Sequence, residues 1–512
     1  MPNPMRLISF LGTGNYGETT YHLDEVNSPE VQTHYVVLAL AQLLGATEVL
    51  VVCTQAAEDK HGQALAAAFV AAGRPAPQFM RVADGRTPEE LWQGFRVLQD
   101  LIVQQPGQPL ALDITHGFRS QPFFAAAVVG FVRALPGKVP DISIWYGAYE
   151  SRSADGPTGR SPIWNLTAFT ELVDWSQSLG HFLRTGDARV AAATAERIGR
   201  ELRKAWASTR EGDPPQIVQF ARALEEFSDA LVTVRVGELL LARTQGEKPG
   251  EGPARTQALL AAIQASRPDL ERRIPPVAEV LDRLVEMVQP LQLPDGMTHL
   301  ADPKTDDAQA ALARLYWSLG RYAESAAVLR EAWVNRFADA VGARPGAVRF
   351  DTEGRKSAED AWRGADKYGA REISDVRNDI EHAGFRADPK PPATIRNQIE
   401  RLIQTLEQTA GRRPARSRTY FVTRHPGARE WAAEEGLPVD DIIEHLDPDQ
   451  IQRGDTLIGS LPVNLAAAVC QRGARYLHLS LNLTPGLRGL ELSAADLRAC
   501  GARLEEFRVE PV

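Results

Sequence analysis

Cysteine is nearly missing from this chain of 512 residues: Cys53, Cys470 and Cys500 stand far apart. No Cys-x-x-Cys pair and no metal-ligand spacing occurs, so no disulfide framework and no zinc site is expected, and a reducing cytoplasm is the natural setting. No apolar run reaches the ~18–20 residues that span a bilayer. The opening MPNPMRLISFLG lacks the basic flank and long apolar stretch of a secretory signal. A positive charge excess is also lacking, because 57 Lys and Arg face 66 Asp and Glu for a net −9. Broad attraction to nucleic acid is therefore not expected, DNA is not an expected partner, and any RNA contact must use a few placed arginines. What is present is a hydrophobic fraction of 44%, enough to build packed cores. The length accommodates three or four domains.

Residues 1–160 alternate short apolar runs with amphipathic stretches. Strands are expected at Leu7–Leu11, Glu48–Cys53, Gln78–Val82, Pro109–Ile114 and Ile142–Tyr146. Helices are expected at Ser28–Leu44, Asp59–Ala72, Thr87–Gln104 and Ser120–Ala134. That alternation predicts a parallel sheet covered by helices on both faces, with ligands beyond the carboxyl ends of its strands. Residues 165–410 read as an all-α domain, with helices over Ala188–Trp206, Ile217–Arg243 and Asp307–Val341. GRRPARSR, residues 411–418, is a basic linker. Residues 419–512 return to α/β alternation, with strands at Thr419–Thr423, Thr456–Gly459, Arg475–Leu481 and Arg503–Val509. This last domain has no lysine, nine arginines and fourteen acids, so it is itself acidic.

FLGTGNYGETTY contains Gly12-x-Gly14-x-x-Gly17, the spacing of a dinucleotide fingerprint. That fingerprint needs a helix directly after the glycine turn and an acid at the end of the next strand. Here Gly17 leads into Glu-Thr-Thr-Tyr-His-Leu, which reads as extended, and the next strand ends in Thr54 and Gln55. A nucleotide-dependent oxidoreductase is thus disfavoured; a ligand-free glycine hairpin and an anion site both stay open. ALDITHGFRSQPF, residues 111–123, ends a strand and starts a helix, a place where backbone amides, hydroxyls and Arg119 can hold a phosphate.

DITHGFRSQPF and LGTGNYGETTY together resemble the CARF sensor domain of CRISPR-associated type III ancillary proteins. The resemblance implies a Rossmann-like, dimeric domain that binds cyclic oligoadenylate, most often cyclic tetra-adenylate, across the dimer axis. It implies ligand contacts from Gly12, Thr13, Gly14, Asn15 and Tyr16, from the strand-end Thr54, and from His116, Gly117, Phe118, Arg119 and Ser120.

ISDVRNDIEHAGF, residues 373–385, holds Arg377, Asn378 and His382. Arg-x-x-x-x-His also arises on ordinary charged surface helices. Residues five apart on one helix point about 140° apart, so one helix cannot aim both side chains well at a single phosphate, whereas two copies across a dimer axis can. Histidine suits proton transfer and arginine suits developing negative charge on phosphorus. The stretch resembles the HEPN ribonuclease motif. That resemblance implies a composite site shared by two protomers that cleaves single-stranded RNA without metal. Asn378 is read as an orienting hydrogen-bond donor, and Glu381 as an ion-pair partner or a solvated residue.

In residues 418–512, TYFVTRHPGA, GSLPVNLAA and RYLHLSL resemble a small CRISPR-associated family, usually a stand-alone protein, that is associated with degrading cyclic oligoadenylate. Arg424, His425, Ser460 and Asn464 are the candidates for ring cleavage; a domain that only binds the ring or supports a dimer is the alternative. Asp447 is expected to cap a turn after His445, and His478 to be a satisfied core residue. The expectation for the whole is a cyclic oligoadenylate-activated endoribonuclease, homodimeric or larger, with no cofactor, no membrane contact and a fused ring nuclease. Its rival is a sensor attached to an inert helical scaffold acting in signalling or transcription.

Overall fold

The computed structural model describes residues 5–510 except 24–28, 117–120, 136–139, 154–157, 211, 243–251, 341–351, 365–368, 413–417, 453 and 488. The chain divides into two compact units, residues 1–180 with 267–280, and residues 181–266 with 281–512. Both sheets are rich in parallel strands, and the chain mixes α/β and helical regions. Among the described residues no helix is long and apolar enough to cross a membrane.

The first unit carries an eight-stranded sheet. Its strands are β1 (Met5–Leu11), β2 (Thr19–Leu23), β3 (Glu30–Thr33), β4 (Ala46–Cys53), β5 (Gln78–Arg81), β6 (Leu110–Asp113), β7 (Ile142–Gly147) and β8 (Arg160–Asn165). They lie in the order β3-β2-β8-β7-β6-β1-β4-β5. The run β7-β6-β1-β4-β5 is parallel throughout. Successive side chains in a strand face opposite ways, and two cores result. Leu7, Leu11, Val49 and Val51 pack under the helix Val36–Leu43 and the helix Gln63–Ala71. Ile8, Phe10, Leu50 and Val52 pack under the helices Pro88–Val103 and Gln121–Ala134. Near-continuous apolar runs in β1 and β4 are what a strand covered on both faces requires.

Two features of this unit differ from the sequence reading. The segment expected to open a helix at 28 instead contributes β3, paired antiparallel to β2. Thr33 then accepts a hydrogen bond from the Tyr35 amide at 3.1 Å, and the helix starts only at Val36. Strand β8 was not anticipated; it lies between β7 and β2, and its Pro162 accepts from the Ala148 amide through its carbonyl. Residues 267–280 belong to this unit partly through Arg273, whose guanidinium donates twice at 2.7 Å to the fully buried Glu171.

The second unit holds the helical region and the C-terminal sheet. The helix expected over 217–243 ends at Val232, because Val234 takes a left-handed φ of 57°, and a short helix Val236–Leu240 follows. The helix expected over 307–341 is two helices, Asp306–Ser318 and Tyr322–Ala340, separated at Gly320, whose φ is 73°. Helix Tyr322–Ala340 packs against Asp306–Ser318, Ala370–Glu381 and Pro392–Gln408. Most of the linker at 411–418 lies outside the described residues.

The C-terminal sheet contains β9 (Thr419–Val422), β10 (Asp441–Ile443), β11 (Thr456–Gly459), β12 (Arg475–Ser480) and β13 (Arg503–Phe507). Their order is β10-β9-β11-β12-β13, parallel except for β13. Phe421, Ile458 and Leu479 pack with Trp431 of the helix Pro426–Glu434 on one face. Leu457 and Tyr476 pack with Ala466 and Val469 of the helix Val463–Gln471 on the other.

Candidate functional site

In open α/β sheets the crevice for ligands lies where neighbouring strands send their connections to opposite faces. In the first unit that point is between β1 and β6. The loop after β1 carries Gly12–Gly17 and the loop after β6 carries Thr115 and His116, so the two quoted motifs meet at one sheet edge. Asp113 ties the edge together. It is fully buried and accepts 2.6 Å from Ser9 Oγ and 2.9 Å from the Thr115 amide. The Thr115 hydroxyl also donates to it, and accepts 2.8 Å from the Gly147 amide. Burial raises the Asp113 carboxyl above its ordinary range, against those hydrogen bonds.

The glycine loop closes on itself. Tyr16 accepts from the Gly12 amide and donates to the Gly12 carbonyl, both at 2.9 Å. Burial pushes its phenol up to about 12, so it acts as a neutral hydrogen-bonding group. A side chain at Gly12 would press on the His116 carbonyl at 3.0 Å, and one at Gly17 would collide with Tyr149 Oη at 2.3 Å. Gly12 and Gly17 therefore serve close packing, and the chain after Gly17 enters β2 rather than a helix, which is not a dinucleotide fingerprint. The Tyr16 ring lies 4.2 Å from the His116 ring and 4.6 Å from the His61 ring, centre to centre.

Lys60 and His61 were not identified from sequence. They sit in a wide π-helical turn, Glu58–Gly62, inside the helical segment running from Gln55 to Ala71. Such turns recur at functional positions. Lys60 Nζ donates to the Thr13 carbonyl at 2.6 Å and to Asn15 Oδ1 at 2.9 Å. His61 Nε2 donates to the Gly14 carbonyl at 2.8 Å. A lysine and two imidazoles thus border the loop, and of these the Lys60 ammonium, with one proton beyond its two loop contacts, is the group that suits a phosphate. Thr54 is buried and caps the helical segment, accepting from the Ala57 amide at 3.3 Å, so its hydroxyl oxygen is engaged there. Gly117, Phe118, Arg119 and Ser120 lie outside the described residues.

His116 carries an expected pH signature. Burial, with help from nearby His61, lowers its imidazole to about 4, and its Nε2 is buried without a partner among the described residues. The unfolded chain takes up this proton near 6.5, the folded protein only near 4, so the unfolded state binds more protons between those values and stability falls with pH in that window. From pH 7 to pH 5 the wild-type first unit should lose about 2 kcal/mol more than His116→Gln. Urea midpoints of the two proteins at both pH values check this; equal losses would show that His116 is not held neutral.

In the helical region, Arg377 lies in the helix Ala370–Glu381 and His382 forms its C-cap. Arg377 is half-buried and donates through Nε to Glu381 Oε1 at 2.6 Å. Asn378 and His382 are exposed. The inward face of the same helix is Ile373, Val376 and the buried Asp379, whose carboxylate accepts from the Lys390 amide at 3.0 Å. After His382 come Ala383 and Gly384, both left-handed at φ 52° and 73°, a sharp stop that leaves the imidazole at the helix end.

In the C-terminal sheet the strand order is that of the flavodoxin type, whose crevice lies between its first and third strands. Those are β9 and β11, so the loops with Arg424–His425 and with Ser460 face the same edge. Asn464 sits in the first turn of the helix that follows β11. Arg424 and His425 are exposed, and Arg424 has no hydrogen-bond or ion-pair partner among the described residues. Gly427 is required: a side chain there would overlap the Leu492 carbonyl at 1.9 Å. That close approach sets Glu491 3.7 Å from His425 Nδ1. Ser460 donates to the Leu479 carbonyl at 2.9 Å, which engages its proton. Tyr476 fixes the β11 loop by donating to the Gly459 carbonyl and accepting from the Leu461 amide, and its oxygen lies 2.6 Å from His478 Nδ1. His478 is half-buried, and Asp447 caps the turn Pro448–Gln450 as expected. Among the described residues no three His, Cys, Asp or Glu side chains gather as a metal-holding group.

Comparison with known proteins agrees with the class to which these motifs point. Residues 420–510 match the family described as "Putative CRISPR-associated protein (Cas_VVA1548)". A stretch of 119 residues, 23% of this chain, is 27% identical to "CRISPR-associated protein MJ1674" of Methanocaldococcus jannaschii. The chain spans about a fifth of that relative's length, 18% of it being covered. Both similarities are to CRISPR-associated proteins, and CRISPR association is the identity they support.

Proposed function

We propose that the chain is a metal-independent, single-stranded RNA endoribonuclease of type III CRISPR defence, activated by cyclic oligoadenylate and limited by its own C-terminal ring nuclease. The observation that carries this reading is the convergence of the Gly12–Tyr16 loop, Lys60, His61 and His116 at the switch point of the first sheet, where the Lys60 cation supports binding of a phosphodiester. The ring, as cyclic tetra-adenylate, binds there. Arg377, Asn378 and His382 cleave RNA, the arginine neutralising charge on the phosphorane and the histidine moving the proton of the 2′-hydroxyl. Arg424 and His425, facing the second switch point with Ser460 and Asn464, cleave the ring by the same 2′-hydroxyl chemistry.

A homodimer is part of this reading. Trp92 and Phe131, 61% and 46% exposed, both meet Phe95 edge-on and so join the helices Pro88–Val103 and Gln121–Ala134 in one exposed aromatic patch, and such patches mark interaction surfaces. The ring activates by binding the active dimer more tightly than the idle one.

Full-length protein mixed with a fluorescent RNA reporter should cleave about 5–150-fold faster once cyclic tetra-adenylate is added, the span of ordinary allosteric coupling. Chromatography of the same mixtures should show the ring consumed, and consumption should slow at least about tenfold in Arg424→Ala and in His425→Ala. Equal reporter cleavage with and without the ring removes the sensor assignment. Unchanged ring consumption in both variants removes the C-terminal assignment.

A further inference from the structure

The first unit contains a cavity that no function described so far uses. It measures about 160 Å³ and lies on the sheet face opposite the helix that bears Lys60. Phe10 of β1, Val52 of β4, and Phe95 and Phe124 of the covering helices form its walls. Phe10 precedes Gly12 by two residues, roughly 7 Å along a strand, so the cavity sits at the same carboxyl edge as the phosphate crevice.

Gly94 is the second observation. It lines the cavity from the interior of the helix Pro88–Val103, where glycine is a poor helix former relative to alanine. Its φ is not left-handed, and a Cβ there would meet nothing within 4 Å. Neither backbone geometry nor packing demands a glycine at this place. What the missing side chain leaves is room in the cavity.

The rim gives the occupant its polarity. Asp84 and Glu90 both line the cavity, and Arg86 holds them there, pairing with Asp84 at 2.8 Å and donating its amide to Glu90 Oε2 at 2.8 Å. A carboxylate rim repels phosphate and accepts hydrogen bonds from an amino group. Aromatic walls suit a flat ring. Adenine presents an exocyclic amino donor on a flat heteroaromatic ring.

We propose that this cavity is a base slot, taking an adenine of the ligand whose phosphate lies in the crevice at Gly12–Tyr16. The assignment deepens the sensor reading and rests on it for the identity of the ligand. The ring thus enters both faces of β1, phosphate on one side and base on the other.

Calorimetry on the full-length protein with two ligands, cyclic tetra-adenylate and plain adenosine, separates the slot from the crevice. Gly94→Leu fills the slot, and Gly94→Ala fills part of it in a form certain to keep the helix. Both variants should melt at or above the wild-type temperature, since glycine is removed from a helix interior. Gly94→Leu should bind cyclic tetra-adenylate about ten- to a hundredfold more weakly, the worth of one stacked base, and Gly94→Ala should fall between. A ring carrying hypoxanthine in place of adenine should bind the wild type more weakly, because its 6-oxo group faces carboxylates. Wild-type affinity for cyclic tetra-adenylate in both variants overturns the slot and leaves the crevice standing. Adenosine binding that depends on Gly94, with no binding of the ring, keeps the slot and overturns the sensor reading. Binding of neither ligand overturns both.

Discussion

Arg377→Ala and His382→Ala should each lower ring-stimulated RNA cleavage about a thousandfold, with ring consumption unchanged. The size follows from the proposed roles. An always-charged guanidinium at the scissile phosphate and a proton-transferring imidazole each stabilise only the transition state, so kcat falls and KM moves little. In the single chain, Arg377 is engaged by Glu381 at 2.6 Å, on a surface where such i,i+4 pairs are worth only about 0.3–0.5 kcal/mol. A phosphate can therefore take the guanidinium from Glu381 at small cost, and Glu381→Ala should change cleavage less than about threefold.

The same helix geometry predicts a complementation result. Arg377 lies inside the helix and His382 at its C-cap, about 140° apart around the axis, so under the proposed reading the pair that works on one phosphate comes from two protomers. Mixing Arg377→Ala protein with His382→Ala protein should restore roughly a quarter of wild-type cleavage, because about half of the dimers are mixed and each keeps one intact site. No recovery after exchange of subunits would place both groups on one chain. Unchanged cleavage in the single variants would leave the helical domain as a scaffold for the sensor.

Most of both sheets was legible because β1, β4, β11 and β12 are apolar runs bounded by turn residues, and their positions match the expected strands closely. The strand order was not legible; it depends on which edges pair, and it is the order that brings the Gly12 loop to His116 and the Arg424 loop to Ser460. Strand β3 was missed because Glu30–Thr33 is polar and abuts the apolar period of Val36–Leu43, which extended the helix signal backward. The Arg377–His382 spacing was readable, since both residues lie within one local element. Lys60 and His61 were not, because their meaning comes from a π turn and from partners 45 or 47 residues away in the chain. Gly94 is silent in sequence for the same reason: only its place on the cavity wall distinguishes it from other helix glycines, such as Gly130, beside which a Cβ would also meet nothing.

Arg336→Met should strongly destabilise the helical region, by about 3–5 kcal/mol. Arg336 and Asp306 are each 1% exposed and lie 3.2 Å apart, which removes both charges from water. The guanidinium donates to Thr409 Oγ1 at 2.7 Å and to the Leu406 carbonyl at 2.9 Å, and it stacks 4.8 Å from the Trp333 ring centre. Asp306 also accepts from the Gly411 amide at 2.9 Å and opens a helix, where the dipole favours a carboxylate. The pair thereby fastens Asp306–Ser318 and Tyr322–Ala340 to the end of Pro392–Gln408, the helix packed beside the one that carries Arg377. Methionine fills the volume but leaves a buried carboxylate without its cation, whereas Asp306→Asn with Arg336→Met removes both charges together. The double variant should regain at least half of the lost stability, a coupling that a double-mutant cycle reads directly. Amide exchange in Asp306–Ser318 and Tyr322–Ala340 is the measurement, because it isolates these helices from the rest of a multidomain chain. Protection within about 1 kcal/mol of wild type in Arg336→Met would mean that water already reaches the pair and that it does not hold these helices together.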